Sequence, residues 1–249
     1  MIGTSTESAH YVYGVVEAPP PSCAGVSFVE AGSLAAITSE VSLDEFGEEP
    51  LVRNLNDPTW VETKARTHED VLQAVAAATD VLPFRFGTIC RSEDDVRALL
   101  EARREALLSA LARVRGRLEV GVKLWVDRAR LVEASAVAPQ SGRAYLEARR
   151  TAQQRKDDAD TLCLETAQAT FERLLPFAVE GVANRPQPRE LTGRSEDMVL
   201  NAAFLVEAGD THLLDELARV PDELGDPFSL EATGPWPPHN FADVPEESA

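Results

Sequence analysis

Between Ser141 and Leu175 the chain carries no proline and a single glycine, Gly142. About 35 residues free of helix breakers, at 1.5 Å each, predict a helix or helix pair roughly 50 Å long. That is longer than a compact domain. Its first part, Glu147 to Asp160, is polar nearly all round, whereas Leu162, Leu164, Phe171, Leu174 and Leu175 restore an apolar stripe. A projecting segment that returns to a core is therefore expected, ended by Pro176 or before Gly181.

The rest of the chain mixes strand and helix signals. His10-Tyr-Val-Tyr-Gly-Val-Val-Glu17 is aromatic and β-branched and stops at Pro19-Pro-Pro21, as a first strand does. Gly25–Glu30 and Leu34–Val41, joined by Ala31-Gly-Ser33, predict a hairpin, and an acidic loop is expected over Asp44–Asn56. Asp57-Pro58 starts a helix to about Thr79, with His68 inside the stripe of Val61, Ala65, Leu72 and Val75. Thr88-Ile-Cys90 is a short strand, Ser92-Glu-Asp-Asp95 caps a helix running to Gly116, and Glu119–Val126 is a strand. Beyond the long helix, Val182–Gly193 reads as a loop or irregular strand and Met198–Glu207 as a buried strand. Asp210 caps a helix over Thr211–Val220, and a last strand covers Phe228 to Ala232. The class is α+β. The most economical division is a ferredoxin-like domain over 1–118 and a helix-rich α+β domain over 119–249, the latter holding helix 141–175 and a proline-rich C-terminal motif.

Charge excludes some partners. In 249 residues, 42 acidic against 24 basic side chains give a formal −18, which repels phosphate backbones and anionic headgroups, so neither nucleic acid nor membrane is expected as partner. The basic residues crowd the middle, from Arg97 to Lys156. Two readings stand for that asymmetry: an acidic partner, or neutralisation by the chain's own acidic ends. Cys23, Cys90 and Cys163 are far apart and read as reduced, buried small hydrophobes. Met1–His10 has neither a basic nor an apolar targeting pattern, and a cytoplasmic location is expected.

Catalytic spacing is absent. The sequence has no G-x-S-x-G, phosphate-loop, dinucleotide or H-E-x-x-H motif, and its four histidines lie far from ligand spacing. His68 reads as a satisfied core or boundary histidine. Asp94/Asp95, Asp157/Asp158/Asp160 and Asp222/Glu223 read as capping or solvated carboxylates. No enzyme activity, cofactor or metal is implied. The unusual stretch is Gly234-Pro-Trp-Pro-Pro-His-Asn-Phe241, whose rigid path and large aromatics either tie the terminus to the chain's own sheet or face a partner.

Several spaced segments together resemble the gas vesicle GvpF/GvpL family. They are Tyr11-Val-Tyr-Gly14, Leu82-Pro83-Phe84-Arg85-Phe86-Gly87-Thr88, Gly121-Val-Lys-Leu-Trp125, Ser141-Gly142-Arg-Ala-Tyr145-Leu146, Asn201-Ala-Ala-Phe-Leu-Val206 and Thr233-Gly234-Pro235-Trp236-Pro237-Pro238 with Phe241. His239 departs from the family, where an aromatic such as tyrosine is common at that place. The resemblance implies a ferredoxin-like first domain, a second domain with long helices, and a minor component of gas vesicle formation that binds the small shell subunit, gas vesicle protein A. Other accessory proteins are further possible partners. The expected receiving surface is a free sheet edge or the face near Tyr11, Tyr13, Phe84 and Phe86, with Arg85 either meeting a shell carboxylate or forming an internal salt bridge. The rival expectations are a structural wall component and a small-molecule-binding ferredoxin-like protein.

Overall fold

Strand β1 (Ser8–Glu17) is the element against which the first part of the chain assembles. The computed structural model describes residues 7–23, 25–133 and 142–243, with the backbone alone for 142–152. Two compact units result: one runs to Leu118 and includes the stretch from Trp236 on, the other spans Glu119–Pro235.

In the first unit β2 (Ser27–Ala31) and β3 (Leu34–Ser42) form the expected hairpin, and the sheet order is β2-β3-β1-β4, where β4 is Leu82–Pro83. A further short strand, β5 (Ile89–Cys90), pairs with His10 and Tyr11 of β1. The β1–β3 register shifts between Val12 and Gly14, a bulge that gives Tyr13 no opposite residue. Gly14 lies across from Pro83, and a Cβ built there meets the Leu82 carbonyl oxygen at 2.6 Å. Only glycine lets the two backbones approach that closely.

Residues 44–56, expected as an acidic loop, instead form two short helices, α1 (Leu43–Phe46) and α2 (Glu48–Asn54). The Ser42 hydroxyl caps the first by accepting from the Asp44 N–H at 3.1 Å, and Phe46 is buried. Glu45 is tied down by Lys64 at 2.9 Å and by the Trp60 indole N–H at 2.7 Å. Burial raises its pKa, but those two hydrogen bonds outweigh burial and hold the carboxyl below its ordinary value. The acidic composition hid one buried aromatic and one satisfied carboxylate.

Helix α3 (Pro58–Ala76) begins as expected, with Asp57 Oδ1 accepting from Thr59 N at 3.0 Å, and it buries His68, Leu72 and Val75. Leu72 and Val75 join Tyr11, Tyr13, Val16, Ala35, Ile37, Phe46 and Val81 in one apolar cluster. The single helix expected after Ser92 is broken at Arg103 into α4 (Glu93–Ala102) and α5 (Arg104–Val114). The break lets α4 pack on β2 and β3 while α5 packs on β1 and β4. The α+β class holds. A ferredoxin-like arrangement, however, places a helix between its first two strands, and the described residues between β1 and β2 contain none.

The second unit carries a four-stranded sheet of order β7-β8-β6-β9, from β6 (Arg117–Val126), β7 (Glu180–Asn184), β8 (Asp197–Glu207) and β9 (Phe228–Trp236). β7 was expected only as a loop or irregular strand; it pairs antiparallel with β8 from Glu180/Leu205 to Asn184/Asn201. Helix α6 (Arg128–Glu133) precedes the long helix α7 (Gly142–Leu174), which ends in a 3₁₀ turn at Pro176. Ser141 lies outside the described residues, and Gly142, Tyr145 and Leu146 fall in the first turns of α7. Phe171 of α7 stacks on Phe204 of β8 with ring centroids 5.3 Å apart. Three short helices follow: α8 (Arg189–Thr192), α9 (His212–Leu217) and α10 (Val220–Leu224). Arg173 of α7 binds Glu216 of α9 at 2.7 Å and both carboxylate oxygens of Glu223 in α10, which fixes all three helices together. On β6, a Cβ at Gly121 meets Thr233 Oγ1 at 2.6 Å.

The two crowded glycines differ in what blocks them, backbone at Gly14 and a rotatable side chain at Gly121. Gly14→Ala is expected to destabilise by about 2–3 kcal/mol and Gly121→Ala by less, as read from urea unfolding of both variants.

Candidate partner-binding site

The segment Leu82–Cys90 is pinned to β1 at both ends and leaves it in the middle. Phe84 N–H donates to the Tyr13 carbonyl at 2.8 Å and Val12 N–H to the Thr88 carbonyl at 2.9 Å, flanking a loop that projects Arg85 into solvent. Gly87 sits in that loop at φ +82°, a conformation glycine adopts without strain. Its N–H donates to the Tyr11 hydroxyl at 2.9 Å, and the same hydroxyl lies 3.0 Å from His68 Nδ1. With the oxygen already accepting from Gly87, the Tyr11 proton goes to His68, which fixes a neutral imidazole with Nδ1 as acceptor. The Phe84 backbone hydrogen-bonds the same ring. Tyr11 and His68 thus clamp both sides of the loop.

Burial sets the protonation states here. Desolvation foremost, then the His239 ring nearby, pushes the His68 pKa down to about 4. Burial likewise pushes the Tyr11 phenol up to about 12, so both groups stay neutral at pH 7. Glu69 is half-buried, which favours its neutral form, yet the His239 Nε2–H donating to Oε2 at 2.8 Å outweighs burial and holds it ionised.

Phe86 packs its ring edge-on against Tyr11, Trp60 and His68, at centroid distances of 6.3, 6.3 and 5.9 Å. Beside it opens a cavity of about 600 Å³, lined by His68 and Glu69 of α3, Phe84 to Phe86, Arg103 after α4, and His239 and Asp243 from the C-terminal stretch. The 82–88 and 237–241 segments therefore meet in one place. Phe241 is fully buried and its carbonyl accepts from Arg113 at 2.7 Å. That realises the tied-down reading for this residue, while Trp236 is half-buried and Pro237 and Pro238 are buried.

The residues expected at the receiving surface divide in two. Tyr11 and Tyr13 are 3 % and 7 % exposed, so they form the floor and present no surface of their own. Phe84 and Phe86 are half-buried at the rim, as is Gly87, whereas Pro83 is buried. The Arg85 side chain is 85 % exposed and reaches only within 3.9 Å of Asp243, itself 87 % exposed, a pair that contributes little. Asn201 belongs to β8 in the other unit, where its side-chain amide donates to the Arg185 carbonyl; Gly234 and Pro235 lie in β9. Sequence reasoning did not single out Glu69, Arg103 or Asp243. Only His239 carried a signal, through its place in the C-terminal motif.

Other sequence candidates resolve differently. Asp160 pairs with Arg128 and Glu223 with Arg173, Asp94 pairs with Arg97 at 3.0 Å, and Asp95 N–H is capped by Ser92. All three cysteines are free; Cys163 is buried as expected, but Cys23 and Cys90 are only half-buried. Among the described residues, no helix is long and apolar enough to cross a membrane, and no group of three or more His, Cys, Asp or Glu side chains is placed to hold a metal.

Comparison with known proteins identifies the class. Residues 9–243 match the family described as gas vesicle synthesis protein GvpL/GvpF. Gas vesicle protein L of a Streptomyces strain is 34 % identical over 98 % of this chain and 96 % of its own. Gas vesicle protein F of Haloferax mediterranei is 24 % identical over 94 % of this chain and 93 % of its own. The crystal structure of GvpF from an Anabaena species shares the fold at a TM-score of 0.73 and 22 % identity, covering 97 % of this chain and 99 % of that one. The chain belongs to the GvpL/GvpF family of gas vesicle proteins.

Two outcomes test the clamp. Tyr11→Phe leaves the Gly87 N–H and His68 Nδ1 without their shared partner and is expected to cost about 1–3 kcal/mol in chemical denaturation. His68 has its folded pKa near 4, below the ordinary 6.5, so the unfolded chain binds the extra proton first. Its stabilising contribution, on the order of 3 kcal/mol, is present above pH 6.5 and lost as pH falls toward 4. A stability-against-pH profile of His68→Leu should be flatter than wild type across that window.

Proposed function

We propose that this protein acts in gas vesicle assembly by binding the hydrophobic shell subunit, gas vesicle protein A, and keeping it dispersed until it enters the vesicle wall. The first unit supplies the receiving surface. The observation that carries this reading is the convergence of the 82–88 loop and the 237–241 segment on one cavity, with Phe84 and Phe86 at its rim and Arg85 beside it.

The physics supports the role. A subunit with a gas-facing apolar surface aggregates when free, and masking that surface needs apolar side chains on a carrier that does not itself self-associate. Phe84 and Phe86 provide rigid apolar contact, their loop pre-ordered by Tyr11 and His68 so that little is lost on binding. The formal −18 keeps carrier molecules apart. Edge strand β2 and the interrupted edge formed by β4 and β5 offer strand addition as the accompanying mode.

Co-expression with the shell protein provides the test. Soluble shell protein should rise and co-elute with the wild-type chain. Phe84→Ala combined with Arg85→Glu, two rim changes that leave the Tyr11 clamp untouched, should lower the captured amount by about tenfold. Shell protein that stays insoluble and unbound beside wild type overturns direct handling. Full capture by the double variant moves the surface elsewhere.

A further inference from the structure

Within the second unit, three cations gather around one cleft. A cleft of about 840 Å³ lies between α6, α7 and the Arg185–Pro188 segment, with Arg128, Lys156 and Arg185 around it and Met198 in its wall. Arg128 is held in place: Asp160 pairs with one end of its guanidinium, and Asp197 accepts from Nε at 2.7 Å. Asp197 also accepts from Arg189 Nε at 2.5 Å. Both carboxylates are thus spent on arginines. Lys156 and Arg185 are exposed, and among the described residues neither forms an ion pair. Three cations line the cleft against two committed anions, which leaves Lys156 and Arg185 as local positive charge inside a chain of formal −18.

The wall opposite α7 is Arg185-Pro186-Gln187-Pro188. Its prolines have fixed φ and no N–H, and the Gln187 N–H is turned to the Met198 sulfur at 3.4 Å. The result is an extended, pre-ordered stretch of about 12 Å at ~3.1 Å per residue. Arg185 on this wall and Lys156 on α7, in a cleft far larger than one inorganic anion, match a ligand with carboxylates repeated along a strand.

We propose that this cleft binds an acidic peptide segment of a partner protein, with Lys156 and Arg185 contacting its carboxylates and Arg128 fixing the floor between them. The chain's overall charge excludes a long polyanion, because a duplex or extended single strand runs beyond the cleft onto repelling surface, whereas a short segment does not. This site is separate from the shell-binding surface proposed above and stands whether or not that reading holds.

The test is fluorescence anisotropy with the full chain and a labelled hexa-aspartate peptide, with hexa-glutamine and a single-stranded oligothymidylate as comparison probes. Saturable binding of hexa-aspartate alone, weakened by added sodium chloride, is expected. Lys156→Glu with Arg185→Glu should lower its affinity by about tenfold or more. Arg66→Glu with Arg97→Glu changes net charge equally at exposed sites of the first unit and should leave binding unchanged, once melting curves show both variants folded. No binding of hexa-aspartate overturns the proposal. So does an equal loss in both double variants, which reports net charge only, or tighter binding of the oligonucleotide. Full displacement of the peptide by equimolar inorganic phosphate also overturns it, since that defines a simple anion site.

Discussion

The hydroxyl of Tyr11 is the point through which the first unit is organised. It accepts from the Gly87 N–H, donates to His68, and lies in β1 where that strand also pairs with β3 and β5. Three separate stretches, residues 8–17, 58–76 and 82–90, are thereby held in one register. The alternative for each polar group is burial without a partner, which is costly, so the loop has one low-energy position rather than several. A recognition surface benefits from that constraint: Phe84, Arg85 and Phe86 sit on a loop whose two ends and middle are all fixed.

Much of this was legible in the sequence. The β1 strand, the β2–β3 hairpin, the Asp57 cap with Pro58, the long helix and β8 all follow from patterns within one window of residues. His68 was readable as a satisfied histidine because it falls inside an apolar helical stripe. What the pattern misjudged depended on partners distant in sequence. Residues 44–56 look like a loop until Phe46 finds Tyr11 and Trp60, and Glu45 finds Lys64. The break at Arg103 has no local signal, since Val96, Leu100, Leu107 and Leu111 keep a continuous stripe; the division comes from which strands lie beneath. The helix missing between β1 and β2 is equally a matter of topology.

The candidate site was half legible for the same reason. The 82–88 segment stands out through the family resemblance, which groups its aromatics with Tyr11 and Tyr13 as one surface. The bulge at Tyr13 and the closeness permitted by Gly14 put the tyrosines beneath and the phenylalanines above. A sequence gives the membership of such a cluster but not its layering, because layering is decided by backbone approach distances. The C-terminal stretch posed the opposite difficulty. By chain order it belongs with the second half of the chain, whereas from Trp236 on it clusters with the first unit.

The C-terminal stretch depends on His239 for part of its position. One wall of the cavity is a stretch whose only described helical piece is the short turn His239–Phe241, so its position rests on side-chain and backbone attachments. Phe241 is buried, its carbonyl accepts from Arg113, and the His239 ring donates to Glu69. The last of these uses a planar, partly apolar side chain with a donor at its far end, half-buried beside Glu69 of α3. A tyrosine would offer the same combination through its ring and hydroxyl. The His239 hydrogen bond also holds ionised a carboxylate that burial alone would push toward neutrality.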